Sequence, residues 1–341
     1  MKWLNLTDEE RQLVLQQAGT ISGINIKALE KDCWVTILLK AIFQTPMAGH
    51  LLFKGGTSLS KSWKLVERFS EDIDLSIDRA FYGFGEELTI TQIKKLKRTS
   101  SAFISTEFRA ALEKELMNLG IPQGTITVTA KPIPEHMKDA VDPQEILVIY
   151  PSLLAPVEYL PDRVKVEVSV RSVKEPFSTR ELDSLLDEII PGQAFSGGAF
   201  PVRVIDPEIT MLEKIFLMHE EFTKAKEHVR FLRMSRHLYD LSRLMQSEHA
   251  QKALHDQELY ERLIAHRVHF IRQRGVDYSR HGRETIDFRL PEWIKADYEN
   301  DYAQMREQMI YGKPPSFEQL MDAIEKLHAD ISGAFNNGVK W

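Results

Sequence analysis

Apolar residues first recur at helical spacing. In ALEKDCWVTILLKAIF the side chains Leu29, Trp34, Ile37, Leu38 and Ala41 share one stripe, following a turn signal at Asn5 to Thr7 and a charged helical run. Pro46 and Gly49 end this helical region. From His50 to about Arg203 the pattern becomes mixed, and it predicts strands at Leu51 to Lys54, Asp72 to Ile77, Thr125 to Ala130, Glu145 to Tyr150 and Arg163 to Val170. A charged helix is expected from about Thr91 to Leu119, and prolines such as Pro122, Pro143 and Pro161 fall between strands as turn formers. After Asp206 the pattern is almost wholly helical. Asp206-Pro207 is a helix start, and Phe231, Met234, Leu238, Leu241 and Met245 form a seam that leaves Arg233, Arg236 and Asp240 away from it. The expected fold class is α+β: a mixed-sheet core with N-terminal helices over residues 1–205, followed by a helical C-terminal domain over 206–341.

Composition adds bounds rather than identity. With 341 residues, 43% hydrophobic and 28% charged, the chain is long enough for two or three units that each bury a core. The single cysteine, Cys33, excludes an internal disulfide and reads as a packed thiol. The start, MKWLNLTDEERQ, lacks an apolar signal core, and no apolar run approaches the ~20 residues that span a bilayer. A cytosolic protein with no membrane association is the expectation. A net charge of -6 argues against indiscriminate nucleic-acid binding while leaving room for local basic patches.

One stretch carries chemistry. In FKGGTSLSKSWKLVERFSEDIDLSI, strand alternation puts Ile73, Leu75 and Ile77 on one face and Ser70, Asp72, Asp74, Ser76 and Asp78 on the other. Two carboxylates so close repel by roughly 2 to 3 kcal/mol at an effective dielectric near 20, so a positive partner is expected. A divalent cation, Mg²⁺ or Mn²⁺, bound by Asp72 and Asp74 beside substrate phosphates would supply it; the alternative is a solvent-facing acidic edge strand. An EF-hand is excluded, since Ile77 and Gly83 stand where that loop needs glycine and glutamate. Gly55 and Gly56 permit close backbone approach, and Thr57 and Ser58 open a helix whose free N–H groups would face a phosphate. The P-loop spacing is absent, and alone the glycine pair reads as a tight turn. Joined to the acidic strand, it suggests a site for a nucleoside triphosphate.

FKGGTSLSK followed by RFSEDIDLSI resembles the nucleotidyltransferase toxins of the AbiEii/AbiGii family, relatives of the MenT toxins, whose superfamily shares a polymerase-β-like minimal nucleotidyltransferase fold. The resemblance extends to EKDCWV before that core and to MLEKIFLMHE and RHLYDL after it, so it covers most of residues 28–245. It implies metal-dependent transfer of NMP from a triphosphate to RNA, with the tRNA 3′ end as acceptor, growth inhibition or abortive infection as the role, and a separately encoded antitoxin as partner. It also implies functional roles for Lys214, as a grip on the triphosphate, for Asp240, as the group orienting Arg236 or holding Lys214, and for Ser70, whose hydroxyl would bind ribose or phosphate. By pattern alone Lys214 is a solvated lysine away from the core stripe.

Glu167 falls on the polar face of RVKVEVSVR and is either a third carboxylate of the centre or a surface residue paired with Lys165 or Arg171. Basic residues cluster at Arg230, Arg233 and Arg236, and again at Arg267 and Arg272, the second group interleaved with Phe270 and Tyr278. They are either solvated helix faces or an RNA-binding surface with aromatics for stacking. Rival functions are nucleotidyl transfer to a small molecule or a protein side chain, and an inactive nucleotide-binding module.

Overall fold

The computed structural model describes residues 2–137, 140–157, 160–170 and 175–336. The chain forms two compact units, the first made of Met1–Ser62 and Phe69–Ile205, the second of Trp63–Arg68 and Asp206–Trp341. The short segment Trp63–Arg68 therefore leaves the first unit for the second, which nothing in the hydrophobic pattern had indicated.

The first unit is built on a seven-stranded mixed sheet. Its strands are β1 (Leu51–Lys54), β2 (Ile73–Ile77), β3 (Thr127–Ala130), β4 (Gln144–Ile149), β5 (Arg163–Ser169), β6 (Phe177–Leu182) and β7 (Phe200–Ile205), in the order β3-β4-β5-β2-β1-β7-β6. The β2/β5 and β1/β7 pairs are parallel and the others antiparallel. The α+β architecture is as the periodicity predicted, and β1 to β5 fall where alternation placed them. Strands β6 and β7 were not foreseen. In β6, FSTREL, only Leu182 is buried, so an edge strand leaves almost no alternation to read.

Helices α1 (Asp8–Ser22), α2 (Ile26–Ile42), α3 (Gly55–Lys61), α4 (Ile90–Phe103), α5 (Arg109–Asn118) and α6 (Leu185–Ile189) complete this unit. The long charged helix expected near 91–119 is interrupted by a π-helical turn, Ile104–Phe108, between α4 and α5. Pleating sends Ile73, Leu75, Val128, Ile146, Val148, Val164, Val166 and Val168 to one face, where all are buried against α2, α5 and the π turn. Each such side chain contributes about 1.5 to 3 kcal/mol. Asp74, Glu145, Lys165 and Glu167 occupy the opposite face, half-buried.

Helix α2 is buried nearly all round, its charged residues Lys27, Glu30, Lys31 and Asp32 included. They are paired. Lys31 Nζ donates to Glu71 at 2.5 Å, while Asp32 accepts from Lys61 Nζ at 2.6 Å and from the Leu185 amide at 2.7 Å. Lys61 closes α3 and Glu71 immediately precedes Asp72, so EKDCWV anchors the two segments that carry the candidate chemistry. Cys33 is buried on the same helix and burial pushes its thiol up, which suits an inert packed side chain.

The second unit contains α7 (Pro207–Phe222), α8 (Ser235–Leu244), α9 (Glu248–His255), α10 (Gln257–His266), α11 (Lys295–Gln308) and α12 (Phe317–Asn336). Helix α7 starts at Pro207 as expected, although the Asp206 side chain makes no capping bond. The seam expected from Phe231 begins only at Ser235, because Arg233 adopts a left-handed backbone with φ 60° and breaks the helix. Asp240, expected on the outer face, is 0% exposed. Among the described residues no helix is long and apolar enough to cross a membrane.

Lys31→Met would remove the ammonium that Lys31 brings to buried Glu71 and is expected to lower the unfolding free energy by about 3 to 5 kcal/mol. The double variant Lys31→Met/Glu71→Leu should recover most of that loss, as measured by urea denaturation.

Candidate functional site

Strand β2 delivers its acidic face to one point. Asp74 pairs in register with Lys54 on β1 and with Glu167 on β5, so both neighbours stand beside it on the same face. Desolvation first, then the negative charges of Glu167 and Asp72, push the Asp74 carboxyl up to about 7, against the opposing pull of Lys54. Lys165 Nζ lies 3.0 Å from Glu167 Oε1 and 3.4 Å from Asp72 Oδ2. Desolvation opposes its charge, yet Asp72 and Glu167 outweigh it and hold the ammonium above its usual range. Lys165 is thus the positive partner that the chain itself supplies. Glu167 pairs with Lys165 and stands beside Asp74 in register; Arg171, its other suggested partner, lies outside the described residues.

Gly55 touches this centre directly. Its φ is +76°, and a Cβ there would overlap the Asp74 carboxylate, so only glycine allows both the turn and the close approach. Gly56 follows, half-buried, in the first turn of α3. The side chains of Thr57 and Ser58 are not free for a ligand. Thr57 Oγ1 is fully buried, donates to the Asp72 carbonyl and lies 2.7 Å from Ser70 Oγ, whereas Ser58 Oγ donates to the Gly55 carbonyl at 2.9 Å. Only their backbone could meet a phosphate. Thr57 instead clips α3 to the strand that brings Asp72, and Ser70, half-buried, belongs to the same clip.

The donor set suits a hard cation. It consists of carboxylate oxygens of like charge, partly neutralised by the Lys165 ammonium. Among the described residues no group of three or more His, Cys, Asp or Glu forms a ready metal cage. Magnesium uses one or two carboxylates and completes its shell with water and substrate phosphates, so Asp72 and Asp74 fit that style of binding.

Lys214 and Asp240 lie in the second unit and meet there. Asp240 Oδ2 is 2.9 Å from Lys214 Nζ, and Arg68 grips the same carboxylate through Nε at 2.7 Å and Nη2 at 2.8 Å. Burial alone would raise the Asp240 carboxyl, but Arg68 and Lys214 hold it below the ordinary range. Lys214 is not the solvated lysine of the pattern reading: it is 7% exposed, and burial lowers its ammonium despite Asp240. Its Nζ also stands 3.4 Å from His237 Nδ1. Asp240 does hold Lys214, while its other partner is Arg68 rather than Arg236.

Of the arginines expected to bind RNA, Arg267 and Arg230 have their guanidinium groups on carboxylates. Arg267 is buried, with Nε and Nη2 on the two Glu220 oxygens at 2.7 and 2.5 Å, and is withdrawn as an RNA contact. Arg230 binds Glu221 through Nη2 at 2.6 Å. The Arg233 amide donates to Asp301 at 2.6 Å within the break before α8. Phe270 is buried and Tyr278 half-buried, so neither offers the exposed ring that stacking requires. Arg236 is half-buried and Arg272 exposed.

A family model described as the nucleotidyl transferase AbiEii toxin of a type IV toxin–antitoxin system matches residues 37–323. No curated protein matches significantly. Among solved structures, the chain is similar to MenT4, a nucleotidyltransferase toxin from Mycobacterium tuberculosis H37Rv, at 17% identity and a TM-score of 0.54, covering 96% of this chain and 90% of that one. JHP933 from Helicobacter pylori matches at 13% identity and a TM-score of 0.38, over 92% of this chain and 97% of that one. The first likeness is one of fold.

Gly55→Ala is expected to cost about 1 to 2 kcal/mol in backbone strain, with a further loss from displacing Asp74. Adding Asp74→Gly should restore only the second part. A double-mutant cycle by urea denaturation separates the two.

Proposed function

Because the chain belongs to the AbiEii family of nucleotidyltransferase toxins of type IV toxin–antitoxin systems, we propose that it transfers NMP from a nucleoside triphosphate to an RNA acceptor, with the tRNA 3′ end as the site of addition. The observation that carries this reading is the contact of Asp74 with Gly55, which puts a triple of carboxylates against a backbone turn able to admit a phosphate. A binding module that had lost its chemistry would have no need of that crowding.

Asp72 and Asp74 would hold Mg²⁺ or Mn²⁺. When bound, the cation neutralises their charge and that of the triphosphate and favours departure of pyrophosphate. The remaining work falls to the chain. The α3 amides after Gly55 face the phosphates, and Glu167 Oε accepts the proton of the acceptor hydroxyl as its oxygen attacks the α-phosphorus and the bond to pyrophosphate breaks. Lys165 keeps Glu167 and Asp72 in place by charge. Within the second unit, Lys214, steadied by Asp240, is proposed to be a functional cation. A toxin of this kind is paired with an antitoxin, proposed to be a separate protein that holds the activity off.

Purified protein incubated with each labelled triphosphate and separate pools of tRNA, other RNA, small hydroxylated compounds and protein should label tRNA alone. Asp72→Ala should reduce transfer by on the order of a thousandfold or more while keeping the wild-type circular dichroism spectrum. Labelling of a small molecule or a protein instead would move the acceptor class, and wild-type rates in Asp72→Ala would refute the mechanism.

A further inference from the structure

The polar face of the sheet does not stop at Glu167. Glu167 is the register partner of Glu145 on β4, and Glu145 is paired with Lys131, just beyond β3, at 2.7 Å. A row of charged side chains therefore crosses from Asp74 to the edge of the sheet within the first unit. Four residues away along the strands, a second row sets Thr127, Ile149 and Arg163 side by side. All three are exposed, Ile149 by 48%, although it sits on an interior strand flanked by polar neighbours. Arg163 makes no ion pair among the described residues and lies four residues from Glu167 on β5, roughly 13 Å along the strand. At the edge, Lys131 also lines a cavity of about 470 Å³ together with Arg98, Ser101 and Ser105. Lys94 stands one turn before Arg98 on the same face of α4, and both are exposed.

These features share one chemistry. Arg163, Lys131 and Arg98 suit phosphates, hydroxyls suit sugar and base edges, and an exposed aliphatic side chain gives an unpaired base a surface to lie on. Both rows lie on the face of the sheet that carries Asp74 and Glu167, where the acceptor hydroxyl must be presented. The chain as a whole carries -6, so a polyanion is held mainly where single cations such as Arg163 and Arg98 meet it.

We infer that the exposed face of β5, β4 and β3, continuing into the cavity between α4 and the β3 edge, binds the single-stranded end of the RNA acceptor. Arg163, Lys131 and Arg98 contact its phosphates, and Ile149 supports a base. The inference rests on the proposed transfer to RNA and moves the acceptor-binding surface from the helices of the second unit to the sheet of the first.

The test measures affinity of the full chain for 5′-labelled tRNA by fluorescence anisotropy over a range of salt, beside binding of a non-hydrolysable triphosphate by calorimetry. Arg163→Ala and Arg98→Ala should each weaken tRNA binding several-fold and reduce the slope of log affinity against log salt by about 1, with triphosphate binding unchanged. Arg163→Lys should restore most of the affinity, and Ile149→Asp should weaken binding with little change in slope. If the wild type binds no RNA, the reading of RNA as acceptor fails. If it binds RNA and these variants match it, the surface assignment alone is overturned and the face is left to a protein partner. Loss of triphosphate binding alongside would trace the effect to the fold and also overturn the assignment.

Discussion

Three carboxylates crowded on one face of a β-sheet constrain everything around them. Asp72, Asp74 and Glu167 are held by strands whose other face is fully apolar, so they cannot turn inward, and register fixes Asp74 beside Glu167. Their repulsion is met by Lys165 and by Lys54. The proposed divalent cation would add a stronger positive charge at the same point without moving the backbone.

Rigid support comes from buried ion pairs and hydrogen bonds around the centre. Helix α2 lies buried with its charges paired, and through Lys31 and Asp32 it fastens Glu71 and Lys61, which flank the acidic strand and close α3. Thr57 adds the clip between α3 and the Asp72 backbone. The same device recurs in the second unit, where Arg68 and Lys214 share the buried Asp240. In each case a buried charge is tolerated because its partner is buried with it, and replacing one member would expose the full desolvation penalty of the other.

Much of the first unit was legible because a strand has a period of two. Alternation located β1 to β5, put Asp72 and Asp74 on one face, and separated Glu167 from the valines of β5. Contacts set by tertiary pairing were not legible. Nothing local says that Gly55 packs on Asp74, or that Arg68 bonds a carboxylate 172 positions away. The basic runs misled for a related reason: a cluster of arginines reads as a surface, yet Arg267 is consumed by Glu220 and Arg230 by Glu221. Lys165 was legible as a partner of Glu167, two residues along the same face of the same strand, but only as a surface pair, because a lysine beside a glutamate usually signals no more. Its contact with Asp72 depends on strand pairing and was not legible.

The most direct check on the carboxylate centre is anomalous diffraction from crystals grown with Mn²⁺ and a non-hydrolysable nucleoside triphosphate. The account predicts a manganese peak bound by both Asp72 and Asp74 and by phosphate oxygens, with the triphosphate lying over the Gly55-Gly56 turn. A nucleotide bound elsewhere, with Lys165 still bridging Asp72 and Glu167 and no manganese beside them, would contradict it.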